Sequence, residues 1–181
     1  MFTSKQIVVA AVVALTACAS QPVSTGKGPA LGAPVSAEEI ARFDISIPPS
    51  GAGLPAGSGT VKQGEAVYAS KCQVCHGEKG AGKPADRLVG GNGTLATKAP
   101  VRTVGSFWPH ATTLFDYVRR AMPITNPLSL SNDEVYAVSA YVLFLNGIIG
   151  EDAQMNAQTL PQVKMPNRDG FVSDWPPRSR N

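Results

Sequence analysis

Two cysteines and a histidine lie within five consecutive residues, Cys72-Gln73-Val74-Cys75-His76. Thiols with this C-x-x-C spacing can form two thioether bonds, one to each vinyl group of a porphyrin. The imidazole that follows the second cysteine then lies beneath the porphyrin iron and can ligate it. The stretch therefore predicts one covalently attached haem c, bound through Cys72 and Cys75 and ligated by His76.

Two other kinds of site use the same C-x-x-C spacing. A dithiol redox centre places it in a thioredoxin-like βαβ unit, and a zinc site uses it as half of its ligands. The only other cysteine is Cys18, which lies in a predicted export signal, and the only other histidine is His110. A closed zinc site would therefore lack ligands. The residues before Cys72 have a helical pattern rather than that of a strand, which disfavours the dithiol centre.

An iron ligated by His76 has a second axial position, and the sequence offers three side chains for it or leaves it open. Met122 ends the second predicted helix and precedes a proline, Met165 also precedes a proline, and His110 is the other imidazole. Methionine sulfur is a soft ligand of haem iron, although a lone methionine is normally a packing residue. The residues alone leave these alternatives open.

Phe107 and Trp108 form a large apolar pair directly before a helical pattern. The indole N–H of Trp108 is a polar group on an apolar side chain, and it can donate a hydrogen bond to a haem propionate. We therefore include Trp108 among the predicted cofactor-binding residues, with ordinary core packing as the alternative.

Three helices are predicted around the haem stretch. Residues 60–63 form a capping-box pattern, which starts a helix that runs into the haem stretch. Apolar residues with a 3.6-residue period predict a second helix over 111–121, which Pro123 ends. Residues 131–134 form another capping box, and the helix that begins there ends near Asn146 and its following glycine.

Glycine-rich stretches at 77–84 and 90–93 separate these helices. They predict loops whose backbone can approach a porphyrin edge without Cβ clashes. Gly64 lies inside the first predicted helix, where glycine costs about 1 kcal/mol relative to alanine. Its presence predicts a close packing contact at this position.

The order of the predicted elements resembles that of the class I cytochromes c. It runs from a helix ending in C-x-x-C-H through glycine-rich loops, a second helix and a Met-Pro loop to a last helix. The resemblance implies an all-α fold of three to five helices around one covalent haem, with His76 and Met122 as the metal ligands. It also implies that Tyr141 or Phe144 of the last helix crosses the first helix at Gly64.

Three stretches resemble a narrower family. They are FWPHATTLFDYVRRAMP (107–123), SLSNDEVYAVSAYVLFLNGII (129–149) and MPNRDGF (165–171). They are similar to the cytochrome c subunit of bacterial sulfite and sulfane dehydrogenases, some of which have two haem motifs where this chain has one. The resemblance implies an electron-transfer subunit that receives single electrons from a molybdenum-containing dehydrogenase subunit and passes them to a downstream cytochrome or oxidase. A generic membrane-anchored carrier and a haem enzyme acting on a thiosulfate-like substrate are the alternatives.

The N-terminus has the pattern of an export signal. Lys5 is followed by an apolar run over 7–15, which is shorter than the about 20 residues that a membrane span needs. The run closes on Leu-Thr-Ala-Cys18, which resembles the bacterial lipobox and predicts lipidation of Cys18; an ordinary cleaved signal is the alternative. Either pattern predicts export, and the lipobox predicts a lipid anchor on the periplasmic side of a membrane.

The predicted organisation has four parts. Residues 1–17 form a lipoprotein-type signal peptide, 18–59 a Pro- and Gly-rich tether and linker, 60–149 the cytochrome c domain, and 150–181 an extended proline-rich tail that wraps the domain. The net charge of +3 gives no basis for nucleic-acid binding.

Overall fold

The computed structural model describes residues 32–172. The predicted signal peptide, Cys18 and the first part of the tether lie outside the described residues, as does the tail after residue 172. The chain divides into two units, residues 1–40 and 41–181. In the first unit, the Ser36 hydroxyl accepts a hydrogen bond from the Glu39 N–H at 3.1 Å. This cap begins helix α1, Ala37–Phe43.

The regular secondary structure in the described part of the second unit consists of helices and two short strands. In chain order its elements are β1 Ser58–Thr60, α2 Val61–Lys71, α3 Gln73–His76, α4 Val104–Phe107, α5 Ala111–Ala121, α6 Asn132–Leu145 and β2 Gln154–Asn156. The predicted capping boxes at Thr60 and Ser131 are present. A third, formed by Thr103 and Ser106, begins the unpredicted helix α4. Over residues 32–172, no helix is long and apolar enough to cross a membrane.

Helices α2 and α6 cross in direct backbone contact at Gly64. A Cβ atom at this residue would overlap the carbonyl oxygen of Ala137 and would lie 2.8 Å from the Cβ of Tyr141. The missing side chain therefore lets the helices approach, which explains a glycine in a helix interior. Tyr141, rather than Phe144, occupies the crossing, and its ring packs against Tyr68 with centroids 5.4 Å apart.

Helix α6 is the centre of the hydrophobic core. Its residues 135–143 are all buried, and its Tyr136 packs against Phe115 of α5 with ring centroids 4.4 Å apart. A helix that is apolar around its whole circumference must be covered on every side. The three helices predicted from the sequence are too few to cover it, so other segments must take part.

The tail supplies part of this cover. Strand β2 pairs antiparallel with β1, so that Met155 lies opposite Gly59. Beyond residue 150 the tail also places four side chains in the core: Met155, Leu160, Val163 and Met165. The strand pair has no clear signal in the sequence, because strands of three residues are too short to show an alternation.

A segment before the first predicted helix supplies another part of the cover over α6. Residues 45–49, here called the strap, lie along α5. Ile47 is buried in the core, and its N–H donates to Asp116 Oδ1 at 2.9 Å. The Thr112 hydroxyl donates to the Pro49 carbonyl at 3.4 Å. The strap is therefore joined to the helix whose C-cap residue is Met122.

Candidate functional site

Helix α3 is a single turn that carries the haem stretch, and only Cys72 separates it from α2. His76 is its last residue and is half-buried. The Nδ1 atom of His76 lies 2.9 Å from the backbone carbonyl oxygen of Asp86. A carbonyl oxygen only accepts hydrogen bonds, so Nδ1 carries the proton and Nε2 keeps its lone pair. His76 is therefore in the tautomer that a metal ligand requires.

The loop that supplies Asp86 is fastened to the haem stretch by backbone hydrogen bonds. The Ala85 N–H donates to the Cys75 carbonyl at 2.8 Å, and the Gly82 N–H donates to the His76 carbonyl at 2.7 Å. Both bonds join the loop to the turn that carries the imidazole. They hold the Asp86 carbonyl in place relative to His76.

Tyr68 of α2 fixes the start of the same loop. Its hydroxyl donates to the Gly77 carbonyl at 2.8 Å. Burial raises the pKa of Tyr68 to about 12, so the phenol stays protonated and remains a donor. Gly77 has a φ of 75°, a left-handed conformation that favours glycine and that turns the chain away from α3.

The two cysteines lie on one turn, where the Cys75 N–H donates to the Cys72 carbonyl at 3.1 Å. Burial raises the pKa of the Cys72 thiol to about 11, so the free thiol is neutral at physiological pH. A redox-active dithiol needs a lowered thiol pKa, and this environment disfavours that alternative. Within the described range 32–172, no three His, Cys, Asp or Glu side chains are grouped to hold a metal ion.

Helix α5 separates the other two predicted site residues. Trp108 follows α4, and Met122 caps the C-terminal end of α5. Trp108 packs edge-to-face on Tyr117, with ring centroids 5.7 Å apart. Both Trp108 and Met122 are half-buried, and their roles toward haem stay predictions. Of the predicted site residues that the structure describes, the three of the haem stretch lie together on one turn.

The three side chains considered as the second iron ligand have different surroundings. Met165 is 3% exposed and belongs to the hydrophobic core, which is the ordinary packing role of methionine. His110 precedes α5, and burial, together with the charge of Arg168, lowers the pKa of its imidazole. Met122 lies at a helix end without being enclosed in the core. This position favours Met122 over Met165 as the second ligand.

Comparisons with known proteins identify the family. The family model described as cytochrome c oxidase, cbb3-type, subunit III, matches residues 59–142, which include the haem stretch and α5. The crystal structure of the sulfane dehydrogenase SoxCD from Paracoccus pantotrophus contains a chain that is 40% identical, with a TM-score of 0.76. That match covers 80% of this chain and 72% of the SoxCD chain. The chain belongs to the class I c-type cytochromes.

The predicted all-α class I fold is thereby confirmed, as is the predicted resemblance to the cytochrome c subunit of sulfane dehydrogenase. No curated protein gives a significant match to this cytochrome. A cytochrome c domain carries covalently bound haem c and transfers electrons. The residues present fit that group, because two thiols share one turn and the engaged Nδ1 of His76 leaves Nε2 available.

Asn146 is a supporting residue that the sequence analysis treated only as a helix end. It is 8% exposed. Its Nδ2 donates to the Leu88 carbonyl at 3.2 Å, and its Oδ1 accepts from the Gly90 N–H at 3.2 Å. The end of α6 is therefore tied to the loop just beyond Asp86. Asp86 has no signal in the sequence either, since its contribution is a backbone carbonyl that every residue possesses.

Proposed function

We propose that this cytochrome carries one haem and transfers single electrons from a molybdenum-containing dehydrogenase of the sulfite or sulfane type to a downstream cytochrome or oxidase. The observation that supports this assignment most directly is the 40% identity to a chain of sulfane dehydrogenase SoxCD over 80% of this cytochrome. Similarity of this extent over both chains supports a role in the same kind of enzyme complex.

In the proposed site, Cys72 and Cys75 would form the thioether bonds, and His76 and Met122 would ligate the iron. Bound haem c supplies a one-electron couple, and a methionine ligand raises its reduction potential. The hydrogen bond from His76 Nδ1 to the Asp86 carbonyl orients the imidazole. With Met122 as a ligand, no position on the iron would be open to a substrate. These roles suit electron acceptance rather than chemistry on a bound substrate.

Association with a molybdenum subunit is tested by isolating the affinity-tagged cytochrome from cells of its natural source. We expect molybdenum in the purified complex in an amount comparable to iron. The same tag on an unrelated exported cytochrome serves as the control and should bring down no molybdenum. Purified cytochrome that contains iron without molybdenum would contradict the proposed partner and would favour a carrier for another dehydrogenase.

The transfer role is tested separately by adding sulfite, thiosulfate or cyanide to the purified ferric cytochrome. With both axial positions occupied by the protein, we expect the Soret band to stay unchanged for sulfite and thiosulfate and to respond only slowly to cyanide. A rapid Soret shift with thiosulfate would instead indicate a haem enzyme whose sixth ligand is labile.

We also propose that the cytochrome is exported and anchored to a membrane through lipid on Cys18. The short apolar run before Leu-Thr-Ala-Cys18 supports this location. Two or more acyl chains hold a protein firmly on a bilayer, whereas one gives marginal binding. Cys18→Ser should therefore move the cytochrome from the membrane fraction to the soluble fraction. A wild-type cytochrome found unlipidated in the soluble fraction would contradict the anchor.

A further inference from the structure

We propose that the strap, residues 45–49, and Asp116 of α5 act together as a positioning device for Met122. The inference rests on the proposed ligation of haem iron by Met122. It goes beyond that proposal because it assigns a role in holding the iron ligand to the strap, which precedes the residues that the family model matches, 59–142. Asp116 is a positioning residue in this proposal and does not contact the iron.

The strap runs antiparallel to α5. Alternate strap residues bond to successive turns of the helix. The Thr112 hydroxyl donates to the Pro49 carbonyl at 3.4 Å, and the Ile47 N–H donates to Asp116 Oδ1 at 2.9 Å. The Arg119 side chain donates to the Ile45 carbonyl at 3.5 Å. Two extended residues span about 6.6 Å, and three or four helical residues span about 4.5 to 6 Å. The two repeats therefore match closely enough for an extended chain to follow one face of the helix.

The central bond of this series is the strongest. The outer two lie near the distance limit of a hydrogen bond, whereas the Ile47 N–H approaches Asp116 Oδ1 to 2.9 Å. The Ile47 side chain is also 7% exposed and is part of the core. The strap is therefore held mainly at Ile47, by one charge-assisted hydrogen bond and one buried apolar side chain.

Asp116 connects the strap to the end of α5. The residue is 8% exposed, and its two carboxylate oxygens have different partners. Oδ1 accepts from the Ile47 N–H, and Oδ2 forms an ion pair with Arg120 one turn later. A buried carboxylate is stable only when such partners compensate its lost hydration. The Asp116 side chain therefore joins the strap to the last turn of α5.

Met122 directly follows the last turn of α5, which Asp116 connects to the strap. Its N–H donates to the Val118 carbonyl at 3.1 Å, and its own backbone is extended, with φ −118° and ψ 143°. The direction of the Met122 side chain thus depends on where the last turn of α5 stops. Helix ends unwind easily, and an axial ligand must be held within a fraction of an ångström. An anchored last turn would keep the methionine sulfur at the iron.

The test measures how fast cyanide replaces the methionine in the ferric cytochrome. The replacement is monitored through the loss of the weak near-infrared sulfur-to-iron band. Asp116→Asn keeps an oxygen acceptor for Ile47 but removes the ion pair with Arg120. Ile47→Ala weakens the strap without changing α5. We expect cyanide binding to become about tenfold faster in Asp116→Asn, since the loss of a charge-assisted bond has about this size. Ile47→Ala should change the rate in the same direction.

Asp133→Asn is the matched control, because Asp133 also accepts a distant backbone N–H, that of Ser58 at 2.7 Å. We expect this variant to keep the wild-type cyanide rate, even where its thermal stability falls. Unchanged cyanide rates in both Asp116→Asn and Ile47→Ala, with the band present in wild type, would overturn the positioning role alone. A wild-type cytochrome without the band would overturn the Met122 ligation and this proposal with it.

Discussion

His76 Nδ1 and the backbone carbonyl oxygen of Asp86 lie 2.9 Å apart, although the two residues are separated by ten positions in the chain. The acceptor is a backbone group, so the orientation of the imidazole is decided by the path of the loop. Tyr68 holds one end of that loop at Gly77, and Asn146 holds the other end just beyond Asp86. The loop that orients His76, the predicted iron ligand, is thus held by both α2 and α6.

Covalent attachment should survive extraction of the haem with acidified acetone. Haem bound by two thioether bonds cannot dissociate when the protein unfolds, so the colour should remain with the precipitated wild-type chain. A double variant with Cys72→Ala and Cys75→Ala should release all of its haem, whereas Cys18→Ser should retain it. Haem found in the acetone phase from wild type would contradict attachment at the haem stretch.

Met122→Ala should abolish the near-infrared sulfur-to-iron band and admit cyanide rapidly, because it removes the predicted axial sulfur. Met165→Ala is the control. Its side chain is 3% exposed in the core, so this variant should keep the band but lose about 2 to 5 kcal/mol of unfolding free energy. Loss of the band in Met165→Ala, with the band kept in Met122→Ala, would assign the ligand to the tail.

Gly64→Ala should lower the free energy of unfolding by about 3 kcal/mol or more, measured by urea denaturation. The new methyl group would meet the backbone of Ala137, which cannot move aside as a flexible side chain can. Gly150→Ala provides the comparison, since a Cβ there has no neighbour within 4 Å. A Gly64→Ala protein as stable as Gly150→Ala would show that the α2–α6 contact is looser than the structure indicates.

The ion pair between Lys71 and Glu134, 2.7 Å apart, should stabilise the cytochrome only above acidic pH. The hydrogen bond from Lys71 is the main cause that lowers the pKa of the Glu134 carboxyl from its ordinary value of 4.5. A lowered carboxyl pKa stabilises the folded state above the ordinary value, and this contribution is lost as the pH falls through the lowered one.

Lys71→Met should therefore reduce the unfolding free energy at neutral pH by less than about 1 kcal/mol, since the pair is partly exposed. The difference from wild type should shrink as the pH falls below 4.5, the ordinary pKa of this carboxyl. Lys62→Met, at an exposed position of the same helix, should give no such pH-dependent difference. Urea unfolding at neutral and acidic pH measures both variants, and a difference that grows in acid would contradict the assignment.

The sequence alone predicted those features whose interacting residues lie close together in the chain. The haem stretch places two thiols and an imidazole on one turn through covalent connection alone, and the capping boxes at Thr60 and Ser131 join residues three positions apart. Gly64 revealed a close helix crossing, because a glycine that weakens a helix interior requires a packing reason. The sequence left open whether Tyr141 or Phe144 lies at that crossing.

The tertiary structure decided the features whose partners are distant in the chain. The Asp86 carbonyl that orients His76, the pairing of β1 with β2 and the contact of Ile47 with Asp116 all use backbone groups. Nearly every residue has these backbone groups, so no residue type or spacing marks which of them will meet. They come together because α6 is apolar on all sides and must be covered, which draws the strap and the tail onto the same core.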